Sequence, residues 1–76
     1  MKQYEYVIYG SPTCTQCRVA KMMMDRKEIK YKYVDLNTLS DAERDAVLEV
    51  ARRDGKGSLP IVMDATTGVM IDWRKL

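Results

Sequence analysis

The sequence predicts a small α/β protein with the element order β-α-β-α-β-β and a four-stranded mixed sheet. Short runs rich in β-branched and aromatic residues alternate with longer runs of helix-forming residues. Near the C-terminus, two apolar runs are separated by a short turn-forming segment, which is typical of a β-hairpin. A chain of 76 residues has room for one small core, so we expect a single domain over residues 1–76.

The first predicted elements are a strand at residues 5–9 and a helix that starts at Thr13 or Cys14 and runs to about Glu28. Gly10, Ser11 and Pro12 form the turn between them. Met22 falls outside the apolar face of this helix, beside two arginines, where an exposed methionine suits docking. The apolar face carries Cys17, Ala20, Met23, Met24 and the stem of Lys27.

The second strand and helix follow at once. Polar and apolar residues alternate over residues 29–36, most clearly over 31–35, and predict a strand. Ser40 and Glu43 have the spacing of a capping box at the start of the next helix, and Gly55 is placed to end it. The apolar face of this helix is predicted to hold Leu39, Ala42, Ala46, Val47, Val50 and Ala51.

The last part of the chain reads as a loop followed by a hairpin. Residues 55–58 lack the full phosphate-loop pattern and are predicted to be a flexible loop. A strand follows at 59–64, with Pro60 near its start, where proline is tolerated. Residues 65–68 supply the turn and residues 69–71 the returning strand.

Composition limits the classes of partner. The chain has 13 Lys and Arg residues against 11 Asp and Glu, so its net charge of +2 is too small to indicate a nucleic-acid surface. An early charge interrupts any secretory signal, and no apolar run approaches the ~18 residues of a membrane span. We therefore expect a soluble cytoplasmic protein without nucleic-acid or membrane partners.

Cys14 and Cys17 are the residues whose pattern points to chemistry. The C-x-x-C spacing at a helix N-terminus brings two thiols one turn apart, where a disulfide can close and reopen. The helix N-terminus stabilises a thiolate and lowers a cysteine pKa from about 8.5 towards 7. We predict that Cys14, nearer that end, attacks a disulfide and that Cys17 resolves the mixed disulfide.

Other interpretations of the two cysteines stay open. A zinc site needs about four ligands, whereas the chain has two cysteines and no histidine, so only a dimer sharing thiolates would supply one. A purely structural disulfide would close a loop too short to stabilise much. Two unrelated buried cysteines are the third interpretation, and their position between a strand and a helix argues against it.

Three segments together resemble the thioredoxin fold and, within it, the glutaredoxins: C-T-Q-C-R-V-A-K at 14–21, Y-K-Y-V-D-L at 31–36 and S-L-P-I-V at 58–62. Gln16 and the Leu59-Pro60 pair are similar to the NrdH-redoxins, glutaredoxin-like electron donors to ribonucleotide reductase. The resemblance implies a dithiol-disulfide oxidoreductase that acts on protein disulfides, with ribonucleotide reductase as a substrate. Its implied reductant is thioredoxin reductase or glutathione, with no metal and no tightly bound cofactor.

The resemblance also implies a set of substrate-binding residues. Pro60 would be a cis-proline beside the cysteines, and Leu59 would pair its backbone with a bound substrate. Asp72 would take the place of residues that hold the γ-glutamyl end of glutathione. The remaining members are Thr13, Thr15 and Gln16. Thr15 and Gln16 replace the proline and tyrosine common in glutathione-using members.

Thr13 would either donate a hydrogen bond to the thiolate or cap the helix. Lys21, one turn below Cys17, is either a solvated surface lysine or a cation that stabilises the thiolate.

Two alternative functions accompany this interpretation. One is a glutathione-dependent glutaredoxin that acts on glutathione mixed disulfides. The other is a metal or iron-sulfur module that uses Cys14 thiolates from two chains. A non-catalytic docking domain is a further alternative, in which the C-x-x-C has no chemical role.

Glutaredoxins carry a final helix that the sequence does not predict here. Its absence would leave one sheet face uncovered. We therefore expect either that Trp73 and Leu76 fold back over this face or that the protein self-associates or docks a partner there.

Overall fold

The computed structural model describes residues 3–55 and 59–76, and it has the predicted order of elements. Of the predicted loop at 55–58, Lys56, Gly57 and Ser58 lie outside the described residues. Helices and strands begin and end within two residues of the predicted bounds. They are β1 Tyr6–Gly10, α1 Thr15–Arg26, β2 Tyr31–Asp35, α2 Asp41–Arg53, β3 Ile61–Asp64 and β4 Met70–Ile71, with single 3-10 turns at Leu36–Thr38 and Trp73–Lys75.

The four strands form one mixed sheet, as predicted, and their order across it is β2-β1-β3-β4. β1 is parallel to β2, while β3 is antiparallel to both β1 and β4. Gly10 pairs with Asp35, and Tyr9 pairs with Ile61. The end of β1, from which the cysteine loop leaves, therefore lies between the end of β2 and the start of β3.

α1 buries the face that its periodicity predicts. Cys17, Ala20 and Met24 are buried and Met23 is half-buried, whereas Met22 is 54% exposed. The prediction for Lys27 is wrong. Lys27 is the C-cap residue, where the chain leaves the helical path, and it is exposed, with its Nζ donating to the backbone oxygen of Leu76.

α2 begins as predicted, but its buried face is shorter. Ser40 is the N-cap: its Oγ accepts the backbone N–H of Glu43 at 3.2 Å and hydrogen-bonds the Glu43 side chain at 3.1 Å. Gly55 follows the helix with a φ of +73°, which favours glycine. Only the second half of α2 packs on the sheet, through Val47, Leu48 and Ala51. Three residues of the predicted apolar face are exposed: Ala42 and Ala46 in the first half, and Val50 in the second half. Leu48 packs on the sheet although it was not part of the predicted face.

The sheet carries a separate core on each face. One face packs Ile8 and Val62 against Ala20 and Met24 of α1, and the other packs Ile61 and Met70 against Ala51 of α2. Successive residues of β3 point to opposite faces, as strand geometry requires. The two helices therefore lie on opposite sides of the sheet.

Trp73 completes the core on the α1 side. Its side chain is 8% exposed and belongs to the cluster of Ile8, Ala20, Met24 and Val62. Leu76 packs against the same cluster. The expectation that the C-terminal segment folds back over this face is confirmed, and the alternative, self-association, stays untested.

Candidate active site

Cys14 is the residue on which α1 begins. The chain turns sharply after β1, with the Cys14 N–H bonded to the Ser11 carbonyl at 3.1 Å. Cys14 has extended backbone angles and is the N-cap, and its Sγ accepts the backbone N–H of Cys17 at 3.2 Å. That donor and the positive end of the helix dipole favour negative charge on the sulfur. Cys14 is partly exposed and so open to a substrate.

Thr13 is not the cap. Because Cys14 occupies the N-cap position, the predicted capping role of Thr13 is wrong. The Thr13 hydroxyl is 3.1 Å from that of Ser11, and the Thr13 N–H points to the same Ser11 Oγ at 3.4 Å. These contacts stiffen the turn that presents Cys14.

Cys17 has the opposite environment, one turn into the helix. It is 1% exposed, and both cysteines are free thiols. Burial, and then a hydrogen bond with the Cys14 side chain, raise the pKa of Cys17 from 9.0 to about 11, against the lowering effect of a Ser11 backbone hydrogen bond and the Lys21 charge. Cys17 therefore holds its proton at neutral pH, which suits a thiol that acts second.

Gly10 is a site residue that sequence reasoning took only for part of a turn. A Cβ at this position would lie 2.5 Å from Cys17 Sγ and 3.2 Å from Cε2 of Tyr33. Real Cβ atoms do not come that close to other heavy atoms, so the end of β1 has room for glycine alone. No pattern in the sequence marks this contact.

Tyr33 is a second residue that the sequence analysis left out. It pairs with Ile8 in the β1–β2 register and packs against the same core as α1. The Lys21 Nζ lies 4.2 Å from the centroid of its ring, so Lys21 is half-buried rather than fully solvated. The alternation of strand residues was the signal for Tyr33, because it places Tyr33 on one face of β2 with Tyr31.

A groove brings together three of the predicted substrate-binding residues. Its volume is about 160 Å³, and Leu59, Pro60 and Asp72 line it. The Leu59–Pro60 peptide bond is cis, as the resemblance implies. Because Ile61 pairs with Tyr9, Pro60 sits beside the end of β1 that leads to the cysteines. The other lining residues are Gly55, Ile71, Trp73 and Arg74.

The sequence profile of the glutaredoxin family matches residues 6–65, which include both cysteines, the cis-proline and three of the four strands. The chain belongs to the glutaredoxin family. A comparison with curated proteins gave no match.

Solved glutaredoxins share the fold of this family member. Grx-1 from Archaeoglobus fulgidus is 24% identical with a TM-score of 0.66, and the match covers 96% of this chain and 82% of that one. The glutaredoxin of Methanosarcina mazei Go1 is 23% identical with a TM-score of 0.71, over 91% and 67% of the two chains. The buckwheat glutaredoxin–glutathione complex is 24% identical with a TM-score of 0.68, over 88% and 58%.

In this glutaredoxin, opposite charges line one end of the groove. Asp72 caps the turn at Trp73–Lys75, and its Oδ1 accepts the Arg74 N–H at 3.1 Å. The Arg74 guanidinium carbon lies 5.6 Å from the centroid of the Trp73 ring. Arg74 was not predicted as a site residue, and its place in the groove follows from the turn that Asp72 caps.

Thr15 and Gln16 stand apart from that groove. They are the first two residues of α1, both are exposed, and neither lines the groove. Their role in substrate binding stays a prediction.

Metal binding has no support from the described residues. Over residues 3–55 and 59–76, no group of three or more His, Cys, Asp or Glu side chains is placed to hold an ion. A cluster shared by Cys14 of two chains remains a separate prediction. Visible absorbance after anaerobic purification would reveal it.

Proposed function

We propose that this protein is a dithiol-disulfide oxidoreductase that passes two electrons from Cys14 and Cys17 to a protein disulfide. The observation that carries the proposal is the asymmetry of the pair. The Cys14 sulfur is accessible and accepts an N–H at the start of α1, whereas Cys17 is buried one turn further on. An accessible, stabilised sulfur suits attack, and a protected thiol suits resolution.

The reaction has two balanced steps. The Cys14 thiolate attacks one sulfur of the substrate disulfide, that S–S bond breaks, and the released substrate thiolate takes a proton. Cys17 then gives up its proton and attacks Cys14 Sγ of the mixed disulfide. The second substrate thiol leaves, and the protein is left oxidised by two electrons, with a disulfide between Cys14 and Cys17.

For the natural reductant and substrate, we favour the NrdH-like assignment. Gln16 before the second cysteine and the Leu59–Pro60 pair support reduction by thioredoxin reductase. They also favour ribonucleotide reductase as the substrate, because its mobile cysteine-bearing tail must be reduced again after each turnover. No further cofactor is needed, since the two sulfurs carry the electrons.

Glutathione is the second candidate, and the groove favours it. Leu59, Pro60 and Asp72 line one cavity beside the cysteine end of β1. The similar buckwheat protein was solved as a complex with glutathione. In this alternative, the Leu59 backbone pairs with the bound tripeptide, and the Asp72–Arg74 end of the groove binds its charged γ-glutamyl group.

A cytoplasmic location fits a carrier of this kind. In the part of the chain that the structure describes, no helix is both long and apolar enough to cross a membrane. The near balance of charge likewise favours protein partners over nucleic acid.

The test is NADPH consumption with insulin as the protein disulfide. In one arm, thioredoxin reductase is the only reductant, and in the other, glutathione and glutathione reductase replace it. We expect turnover with thioredoxin reductase, and its loss in Cys14→Ser. Turnover in the glutathione arm alone would favour the second candidate, and activity in Cys14→Ser equal to that of the wild type would refute both.

A further inference from the structure

Lys21 is held in one place by an aromatic ring. It follows Cys17 by one helical turn, on the same side of α1. Its Nζ lies 4.2 Å from the centroid of the Tyr33 ring, within the range of a cation–π contact. A lysine side chain in solvent samples many rotamers, so this contact restricts where its charge can be.

The ring that holds Lys21 also borders Cys17. A Cβ added to Gly10 would lie 2.5 Å from Cys17 Sγ and 3.2 Å from Cε2 of Tyr33. The Tyr33 ring and the Cys17 sulfur thus both lie close to Gly10. β2 therefore positions the ring, and through it the ammonium group, next to the resolving thiol.

Few other charges act on this thiol. Cys14 and Lys21 of α1 act on Cys17 electrostatically, with opposite effects on its pKa, and a Ser11 backbone hydrogen bond adds to the effect of Lys21. Tyr33 faces it from β2, with Asp35 acting on Tyr33, and Gly10 of β1 contributes no side chain. Among the described residues, no polar or charged side chain is buried. Among the described groups that shift the pKa of Cys17, Lys21 is the cation.

The second step of the reaction needs such a cation. Cys17 must lose its proton before it attacks the mixed disulfide, and burial opposes the charged form. An ammonium held nearby offsets part of that penalty, and it does so best when its position is fixed.

We infer that Tyr33 is a positioning residue for the resolving step, whose ring holds the Lys21 ammonium beside Cys17. The inference rests on the proposed function, in which Cys17 resolves the mixed disulfide. It assigns Tyr33 to the second step and leaves the attack by Cys14 to the N-terminus of α1.

Stopped-flow reaction of the reduced protein with dithiobis(nitrobenzoate) separates the two steps. Attack by Cys14 releases the first coloured thiol, and attack by Cys17 on the mixed disulfide releases the second. In Lys21→Gln and in Tyr33→Leu, we expect the second phase to slow about threefold at pH 7 while the first changes less. The double variant should be no slower than either single variant.

Two controls separate this role from a structural one. Tyr33→Phe keeps the ring and should match the wild type. Lys32→Gln removes the same charge from β2, where Lys32 lies 5.9 Å from the Tyr4 ring, and should also match it. Tyr33→Phe also retains the packing of Tyr33 in the core, so it stays informative if Tyr33→Leu does not fold.

The inference is overturned if Lys21→Gln resolves at the wild-type rate, if Lys32→Gln slows equally, or if Tyr33→Phe slows as much as Tyr33→Leu. Additive losses in the double variant would also overturn it, because Tyr33 would then act independently of Lys21. A wild-type protein that releases no second thiol would instead show that the proposed function is wrong.

Discussion

Two regions of this glutaredoxin meet where β1 ends and β3 begins, and they are built differently. The cysteine end of α1 is made of neighbours in sequence: Cys14 caps the helix, and Cys17 lies one turn on. The groove is made of Leu59–Pro60 and the Asp72–Arg74 turn, which are joined only by the fold. In the proposed function, the start of the attack by Cys14 thus depends on local geometry, whereas the surroundings of Cys17 and the groove depend on long-range packing, and substitutions can separate these effects.

Trp73 joins the two regions, so its removal should have the largest effect on stability. It lines the groove and packs behind α1 on Ala20 and Met24. We expect Trp73→Ala to lower the free energy of unfolding by about 3–5 kcal/mol, as for other buried large side chains. Urea unfolding measures this loss, and Val69→Ala, at a position 54% exposed, should change it by less than about 0.5 kcal/mol.

A Trp73→Ala protein as stable as the wild type would mean that the α1 face does not depend on the C-terminal turn. If Trp73→Ala instead leaves the α1 face of the sheet uncovered, sedimentation of this variant should show association that grows with protein concentration.

Gly10→Ala should damage the cysteine region and leave the groove intact. The new methyl would lie 2.5 Å from Cys17 Sγ, so Cys17 or β1 must shift, at a cost of about 1–3 kcal/mol. Gly68→Ala is the matched control, because Gly68 has a φ of +75° and open space around it. It should lose stability through backbone strain alone.

The rate of Cys17 alkylation in the reduced protein distinguishes the two glycine variants. It should rise in Gly10→Ala, where the thiol is pushed from its buried position, and stay at the wild-type value in Gly68→Ala. Equal rates in both would contradict the close contact between Gly10 and Cys17.

Asp72→Asn should affect the groove alone and by the smallest amount. Asp72 is exposed and caps a single turn, and asparagine keeps that cap while removing the charge. If glutathione is the reductant, as in the second candidate function, KM for glutathione in that arm of the turnover assay should rise about threefold with kcat unchanged, since Asp72 would contribute a ground-state contact. A fall in kcat without a change in KM would place Asp72 in the chemistry and remove the distinction between the regions.

The contrast between local spacing and long-range contacts also explains which features could be predicted from the sequence. The α1 face and the Ser40–Glu43 cap depend on residues three or four apart, and both were confirmed. The sequence analysis missed Gly10 and Tyr33 because their proximity to Cys17 depends on the register between β1 and β2, two strands that a whole helix separates in the sequence.

The error in α2 has a related cause. Periodicity shows which side of a helix is apolar, but it does not show which of those residues face the sheet, and Leu48, outside the predicted face, packs there. Val50 lies on the predicted side and is still 37% exposed. The groove residues came from family resemblance alone, because nothing local links Pro60 to Asp72.

The central claim, that Cys14 attacks and Cys17 resolves, is tested most directly by intact-mass spectrometry of trapped intermediates. Reduced Cys17→Ser and Cys14→Ser proteins are each mixed with a peptide disulfide, and the adducts are measured before and after reduction. We predict a stable, reducible adduct on Cys14 in Cys17→Ser and little or none in Cys14→Ser, whose remaining thiol is buried. An adduct that forms as fast on Cys17 as on Cys14 would contradict the assignment.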